Sequence, residues 1–293
     1  MMNGWINIYK PKGYTSTYCL NVLKSKFKLK KIGHAGTLDP LAEGILPVAI
    51  GEATKSIPYL SETKKTYFFE ATWGKETSTL DEEGETIHSS DIVPNKESIE
   101  KIIKQWIGET EQMPPQYSAK KINGERSYNL ARKNIHVELK KQKIKIYNIR
   151  IVHHKTNKTS FFVTCGNGTY VRSLIRDIAY ALHTFGYASK IVRYRYGQFS
   201  QKTSLNMDFI VKNMKKVELS KYLLEINKVL IHIPSINLED KRIKLIKNGM
   251  KVSMLEEFGE IDLKKLIAQN QNQVLAFGEL KSGFFYPKRI LNI

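Results

Sequence analysis

One carboxylate stands in a run crowded with glycines, Gly33-His34-Ala35-Gly36-Thr37-Leu38-Asp39-Pro40-Leu41-Ala42-Glu43-Gly44. An Asp-Pro pair commonly starts a helix, with the aspartate as N-cap and the proline in the first helical position. The same aspartate, fixed in a glycine turn, can instead act as a carboxylate nucleophile, and we read Asp39 as one. The two roles are compatible, because a helix N-terminus favours a charged carboxylate and holds it in one direction. What decides between them is the company that distant segments bring.

Other chemistry is thinly signalled. Cys19 and Cys165 lie far apart without a C-x-x-C partner motif, so neither a zinc site nor a disulfide scaffold is expected, and both read as buried, reduced thiols. Asp81, Glu82 and Glu83 sit together in a polar stretch, Thr77 to Gly84, but lack the oxygen spacing of a calcium loop and read as a solvated turn. No metal and no small-molecule cofactor is called for. The charge balance is a stronger signal, with 47 Lys plus Arg against 28 Asp plus Glu giving +19. Basic residues gather at Lys24 to Lys31, Lys140 to Lys145 and Arg193 to Arg195, with aromatics interleaved. Phosphate contact combined with base stacking is the pattern expected for RNA.

The chain of 293 residues can carry one core of roughly 200 residues plus a small appended unit. No apolar run approaches the roughly 18 residues of a membrane span, and Met1 to Lys10 lacks the basic head and apolar middle of a secretion signal. A soluble, cytoplasmic protein is expected.

The elements that must position Asp39 follow from periodicity. Asn3 to Ile8 reads as a strand, and Lys10-Pro11-Lys12-Gly13-Tyr14-Thr15-Ser16 as a turn leading to a helix capped by Ser16 and running to Phe27, with Leu20, Leu23 and Phe27 on one face. Ile45 to Ile50 reads as a buried strand, with Pro47 suggesting an edge or a bulge. Lys64 to Trp73 alternates, Tyr67, Phe69, Ala71 and Trp73 against Phe68, Glu70 and Thr72. Ser98 to Ile107 has helical spacing, two prolines bar regular structure from Met113 to Ser118, and Tyr128 to Lys133 is read as helical. Lys143 to Val152 and Ser160 to Cys165 read as neighbouring strands of one sheet. A glycine turn then feeds a helix with Val171, Leu174, Ile175, Ile178 and Leu182 inside, ended by Gly186. Ile191 to Phe199 reads as a strand whose Ile191, Arg193 and Arg195 share a cationic face. After about Ile233 come a small basic helix, Leu238 to Asn248, and short strands at Val274 to Phe277 and Phe284 to Leu291. The division predicted is a catalytic domain over 1–233 and a small β-rich module over 234–293.

Several stretches, taken in order, resemble the TruB-type tRNA pseudouridine-55 synthase family. They are Lys10-Pro11 with Gly13-Tyr14-Thr15-Ser16, Gly33 through Gly44 with Ile45-Leu46-Pro47 and Gly51-Glu52-Ala53-Thr54-Lys55, Lys65-Thr66-Tyr67, Tyr117-Ser118-Ala119, and Gly168-Thr169-Tyr170-Val171-Arg172. Phe277-Gly278-Glu279 and Pro287-Lys288-Arg289 are similar to the PUA-like domain of many bacterial members. The resemblance implies an α/β (α+β) pseudouridine synthase fold with a mixed, mostly antiparallel central sheet and a C-terminal PUA-like domain. It implies isomerisation of uridine 55 in the TΨC loop of tRNA by a flipped-base mechanism. Asp39 would be the nucleophile, Arg172 its ion-pair partner and Tyr67 the tyrosine against the target base. Tyr170 and Val192 would line the uridine pocket, His34 would fill the space left by splayed loop bases, and Lys10 would be a further RNA contact. tRNA would be the partner of a protein acting as a monomer without cofactor or metal. Breaking a glycosidic bond suits a lone carboxylate, which can form a covalent intermediate or stabilise positive charge at the anomeric carbon. An arginine close by favours its charged form. Three positions depart from the family pattern: Tyr9 where an acid often precedes Lys-Pro, Asn167 where lysine is common, and Val192-Arg193-Tyr194 where Leu-Arg-Arg is usual.

Overall fold

The computed structural model describes residues 2–118, 121–122, 125–132, 139–213 and 217–292. Its organising strand is Lys65–Trp73, where alternation buries Tyr67, Phe69, Ala71 and Trp73 on one face. Around it a ten-stranded sheet runs in the order Leu205–Asn206, Gly4–Lys10, Glu43–Ile50, Gly186–Tyr196, Lys65–Trp73, Lys158–Cys165, Gln142–Lys155, Gly108–Gln112. Ile32–His34 adds to Glu43–Ile50, and Phe199–Ser200 to Gly186–Tyr196. Two pairings in this sheet are parallel, Gly4–Lys10 with Leu205–Asn206 and Glu43–Ile50 with Gly186–Tyr196; the others are antiparallel. The mixed, mostly antiparallel sheet is as the family resemblance implied. Helices Ser16–Lys26, Lys96–Ile103 and Val171–Ala181 lay Leu23, Ile99, Leu174 and Ile178 on its buried face.

Several local expectations are corrected. Thr15, not Ser16, caps the first helix, accepting from the Tyr18 N–H at 2.9 Å; Ser16 is buried and bonded elsewhere. No helix follows Asp39-Pro40, because the strand opens at Glu43 and leaves room for a turn alone, closed by the Ala42 N–H on the Asp39 carbonyl at 3.1 Å. Pro47 is neither at an edge nor at a bulge. Its carbonyl accepts from Ala35, so its missing N–H faces the gap where Gly186–Tyr196 has ended its pairing at Gly44 and Ile32–His34 begins at Val48. The helix at Val171 ends at Leu182, with His183 taking the left-handed conformation (φ 56°). Gly186 instead opens a strand against Trp73, where a Cβ would lie 2.8 Å from the indole. Helix Lys96–Ile103 is capped by Asn95 and tightens into a 3₁₀ turn at Lys104–Trp106. Helix Ser127–Arg132 is as expected up to Arg132; Lys133, and Ala119 of the Tyr117-Ser118-Ala119 stretch, lie outside the described residues.

A second sheet of five strands follows, Ser235–Asn237, Leu263–Asn270, Gln273–Lys281, Phe284–Ile290 and Val252–Ser253 in spatial order, with helix Asp240–Lys247 beside it. Its core includes Leu266, Ala276, Leu280 and Phe285. A shared apolar layer joins it to the large sheet: Ile267, Val274, Phe277 and Leu291 meet Trp5, Ile45, Ile226 and Leu230, and Tyr59 stacks on Phe277 with centroids 4.4 Å apart. Among the described residues no helix is long and apolar enough to cross a membrane.

Candidate active site

The turn carrying Asp39 is held from both sides. The Ser16 hydroxyl accepts from the Leu38 N–H at 2.9 Å and donates to the Leu38 carbonyl at 3.0 Å. The buried Arg193 donates from Nε to the Ile45 carbonyl at 2.7 Å and from a terminal nitrogen to the Gly36 carbonyl at 2.8 Å. One guanidinium therefore ties the start of the turn to the strand that follows it. Glycine is required at Gly44, where φ is +111° and a Cβ would run into the Arg193 backbone.

Arg172, near the N-terminus of helix Val171–Ala181, meets Asp39 at 2.7 Å and Asp81 at 3.2 Å, and donates to the Thr79 carbonyl at 2.6 Å and the Tyr117 carbonyl at 2.8 Å. Its side chain is 4 % exposed, while that of Asp39 is 40 % exposed. The carboxylate thus opens to solvent while its cation is sealed behind it. Asp81 corrects the expectation of a solvated loop: it is 3 % exposed. Burial raises its pKa, opposed by a hydrogen bond from Thr79 and by the Arg172 charge. No pattern in the sequence separates Asp81 from Glu82 and Glu83, so this second anion was not legible there.

A cavity of about 300 Å³ opens in front of the pair, lined among others by Asp39, Lys65, Tyr67, Tyr170, Ile191 and Arg193. Tyr67 is buried at its wall beside Arg193; burial raises its pKa and the guanidinium partly offsets this. Lys65 is pulled down to about 8 by burial and then by Arg193. Its ammonium donates to Asn167 Oδ1 at 3.2 Å and lies over the Tyr196 ring. Tyr170 is fixed by Gln112, whose amide accepts from its N–H at 2.8 Å and donates to its carbonyl at 3.2 Å. An anion backed by a cation, two phenols and an apolar Ile191 make a pocket suited to a flat, polar ring held over a carboxylate.

The structure brings Asp39, Tyr67, Tyr170 and Arg172 together and places the other candidates differently. Val192 does not line the cavity; strand alternation turns Ile191 and Arg193 toward it and pairs Val192 with Phe68 on the other face. A register shift between Arg193 and Arg195 then breaks the expected cationic face, leaving Arg193 buried and Arg195 exposed. Lys10 is buried, its ammonium donating to the carbonyls of Pro11, Tyr14 and Pro40 at 3.0, 2.5 and 3.4 Å, so it braces the loop under Asp39. His34 is half-buried at the end of Ile32–His34, outside the cavity lining. Cys19 and Cys165 are buried thiols, each pushed up to about 11 by burial.

The large mixed sheet with a β-rich C-terminal unit is an architecture shared with solved structures. The structure superimposes on a chain of a Cbf5-Nop10-Gar1 complex with a TM-score of 0.73 at 24 % identity, over 96 % of this chain and 79 % of that one. It also superimposes on an H/ACA RNP bound to a substrate RNA containing 2′-deoxyuridine, with a TM-score of 0.73 at 21 % identity, over 99 % and 85 %. The class defined is a pseudouridine synthase fold. Residues 24–171 match the TruB family pseudouridylate synthase N-terminal domain. Proteins named tRNA pseudouridine synthase B from Caulobacter sp. (strain K31) and Ehrlichia chaffeensis are each 36 % identical over 100 % of this chain, covering 97 % and 100 % of their own lengths. The chain belongs to the TruB family of pseudouridylate synthases, which are isomerases.

Proposed function

We propose that the protein isomerises uridine 55 in the TΨC loop of tRNA, as a monomer in the cytoplasm, with Asp39 as nucleophile. The observation that carries this reading is the 2.7 Å Arg172–Asp39 pair at the wall of a cavity that also holds Tyr67. In the reaction the N1–C1′ bond breaks and a C5–C1′ bond forms, while the hydrogen on C5 is replaced by one on N1, so no oxidant, water or cofactor is consumed. Asp39 assists by covalent capture or by stabilising the electron-poor sugar carbon. Arg172 aims it. Tyr67 lies against the base, with its phenol on Arg193. The target nucleotide has to leave the folded loop, at a cost of a few kcal/mol, which stacking and phosphate contacts offset.

The test is pseudouridine mapping in a transcribed tRNA incubated with the protein alone. Wild type is expected to modify position 55, whereas Asp39→Asn loses isomerisation and keeps RNA binding. Modification persisting in that variant would remove Asp39 from the role of nucleophile.

A further inference from the structure

The face of the large sheet turned away from Asp39 carries a feature that the reaction does not use. Across four strands, side chains stand in one row: Val192 pairs with Phe68, Phe68 with Phe162, and Phe162 with Arg150. Tyr194 lies over the middle of the row, its ring 6.4 Å from Phe68 and 5.2 Å from Phe162, which are themselves 5.5 Å apart. None of these three rings belongs to a core cluster, whereas the part of the molecule around Trp5 and Ile45 is covered by Ile226, Leu230 and the C-terminal sheet.

Cations surround the rings. Arg150 lies over Phe162 at 5.1 Å, Lys190 over Phe68 at 6.0 Å and Lys64 over Tyr147 at 4.2 Å. Arg195 is exposed on the neighbouring stretch of strand. Tyr147 and Tyr194 expose 38 % and 39 % of their surface. Of the nearby acids, Glu70 is engaged by Lys158 and Ser189 and Glu109 by Lys145, while Glu43, opposite Val192 at the end of the row, lies against Tyr9. Among the described residues no carboxylate forms an ion pair with Lys64, Arg150, Lys190 or Arg195.

We propose that this face is a second RNA-binding platform, taking an unpaired segment whose bases stack on Tyr194 and Tyr147 above the Phe68–Phe162 floor while Lys64, Arg150, Lys190 and Arg195 meet its phosphates. Exposed rings framed by unpaired cations on an open sheet are the complement of a single strand. A second copy of a chain carrying +19 would set like charge against like. The platform is separated from the cavity by the sheet itself, since Tyr67 and Phe68, like Arg193 and Tyr194, point to opposite faces. It therefore holds RNA other than the loop being modified.

The experiment uses the full chain saturated with an unlabelled substrate stem-loop and a 4-thiouridine-containing oligouridylate of about eight nucleotides. Photocrosslinks are expected on peptides carrying Tyr147, Phe162 or Tyr194. The variant Arg150→Glu/Lys190→Glu, both exposed side chains, is expected to lower oligouridylate affinity at least tenfold and leave isomerisation of the stem-loop unchanged. The proposal is overturned by unchanged oligouridylate affinity in that variant, by crosslinks confined to the Asp39 cavity, or by a wild-type dimer that the double substitution dissolves. Isomerisation is read separately, so its outcome bears on the proposed reaction and not on the platform.

Discussion

Arg172 shows how one guanidinium can serve two carboxylates without being shared equally. Its donors are spent on Asp39, Asp81 and two backbone carbonyls, which fixes the plane of the group and hence the direction of the Asp39 carboxylate. Asp81 is the silent partner. Asp81→Asn keeps the shape but frees one side of Arg172, and we expect kcat to fall by up to about 100-fold with KM nearly unchanged; single-turnover kinetics on a tRNA transcript distinguish this from a loss of binding. Lys65 allows a pH test. Its pKa is lowered from 10.5 to about 8, so between those values the unfolded chain binds more protons than the folded one. Its share of stability therefore rises with pH across that window, and its burial penalty is full below about 8. Urea unfolding at pH 7.5 and 9.5 should show a larger gain for wild type than for Lys65→Met, and equal gains in both proteins would contradict the assignment.

At the scale of elements, alternation made the strands legible and their neighbours were not. The spacing of Tyr67, Phe69, Ala71 and Trp73 predicted the central strand and its buried face. It could not reveal the register shifts around Arg193, because a bulge is a property of two strands and neither records it alone. Val192 is a different case: only the family resemblance puts it in the pocket, whereas the alternation of its own strand turns it to the face opposite Ile191. Asp39 and Arg172 were nameable from motif resemblance, whereas Asp81 required the fold. Gln112 was invisible for a similar reason: it acts through the backbone of Tyr170, replacing a missing ladder with one amide. Gln112→Ala strands a half-buried N–H and should cost about 1–3 kcal/mol. Thermal unfolding measures that cost, and a raised KM should accompany it as Tyr170 loses its anchor.

For the whole molecule, the charge was legible from composition and the docking of the two sheets was not. We propose a domain boundary after Ile233, yet the units are not independent. Lys55 reaches the Ile290 carbonyl at 2.6 Å, Glu52 accepts from the Asn292 N–H at 2.9 Å, and a common apolar layer runs between them. A chain ending at Ile233 would bare Trp5, Ile226, Leu230 and their neighbours, a contiguous apolar patch of the kind that drives association. Light scattering should find that fragment aggregated at concentrations where the full chain is not; a clear monomeric fragment would show the layer to be dispensable.

The contrast between a sealed Arg172 and an open Asp39, 4 % against 40 % exposed, also bears on timing. With Asp39 as the proposed nucleophile, the charge beside it is in place, buried and bonded on several sides before any RNA arrives, so the protein's share of the reorganisation is already spent. The slow coordinate of a turnover then belongs to the RNA. Substrates should rank by how readily their loop comes apart, with a loosened loop outpacing a well-knit one at saturation.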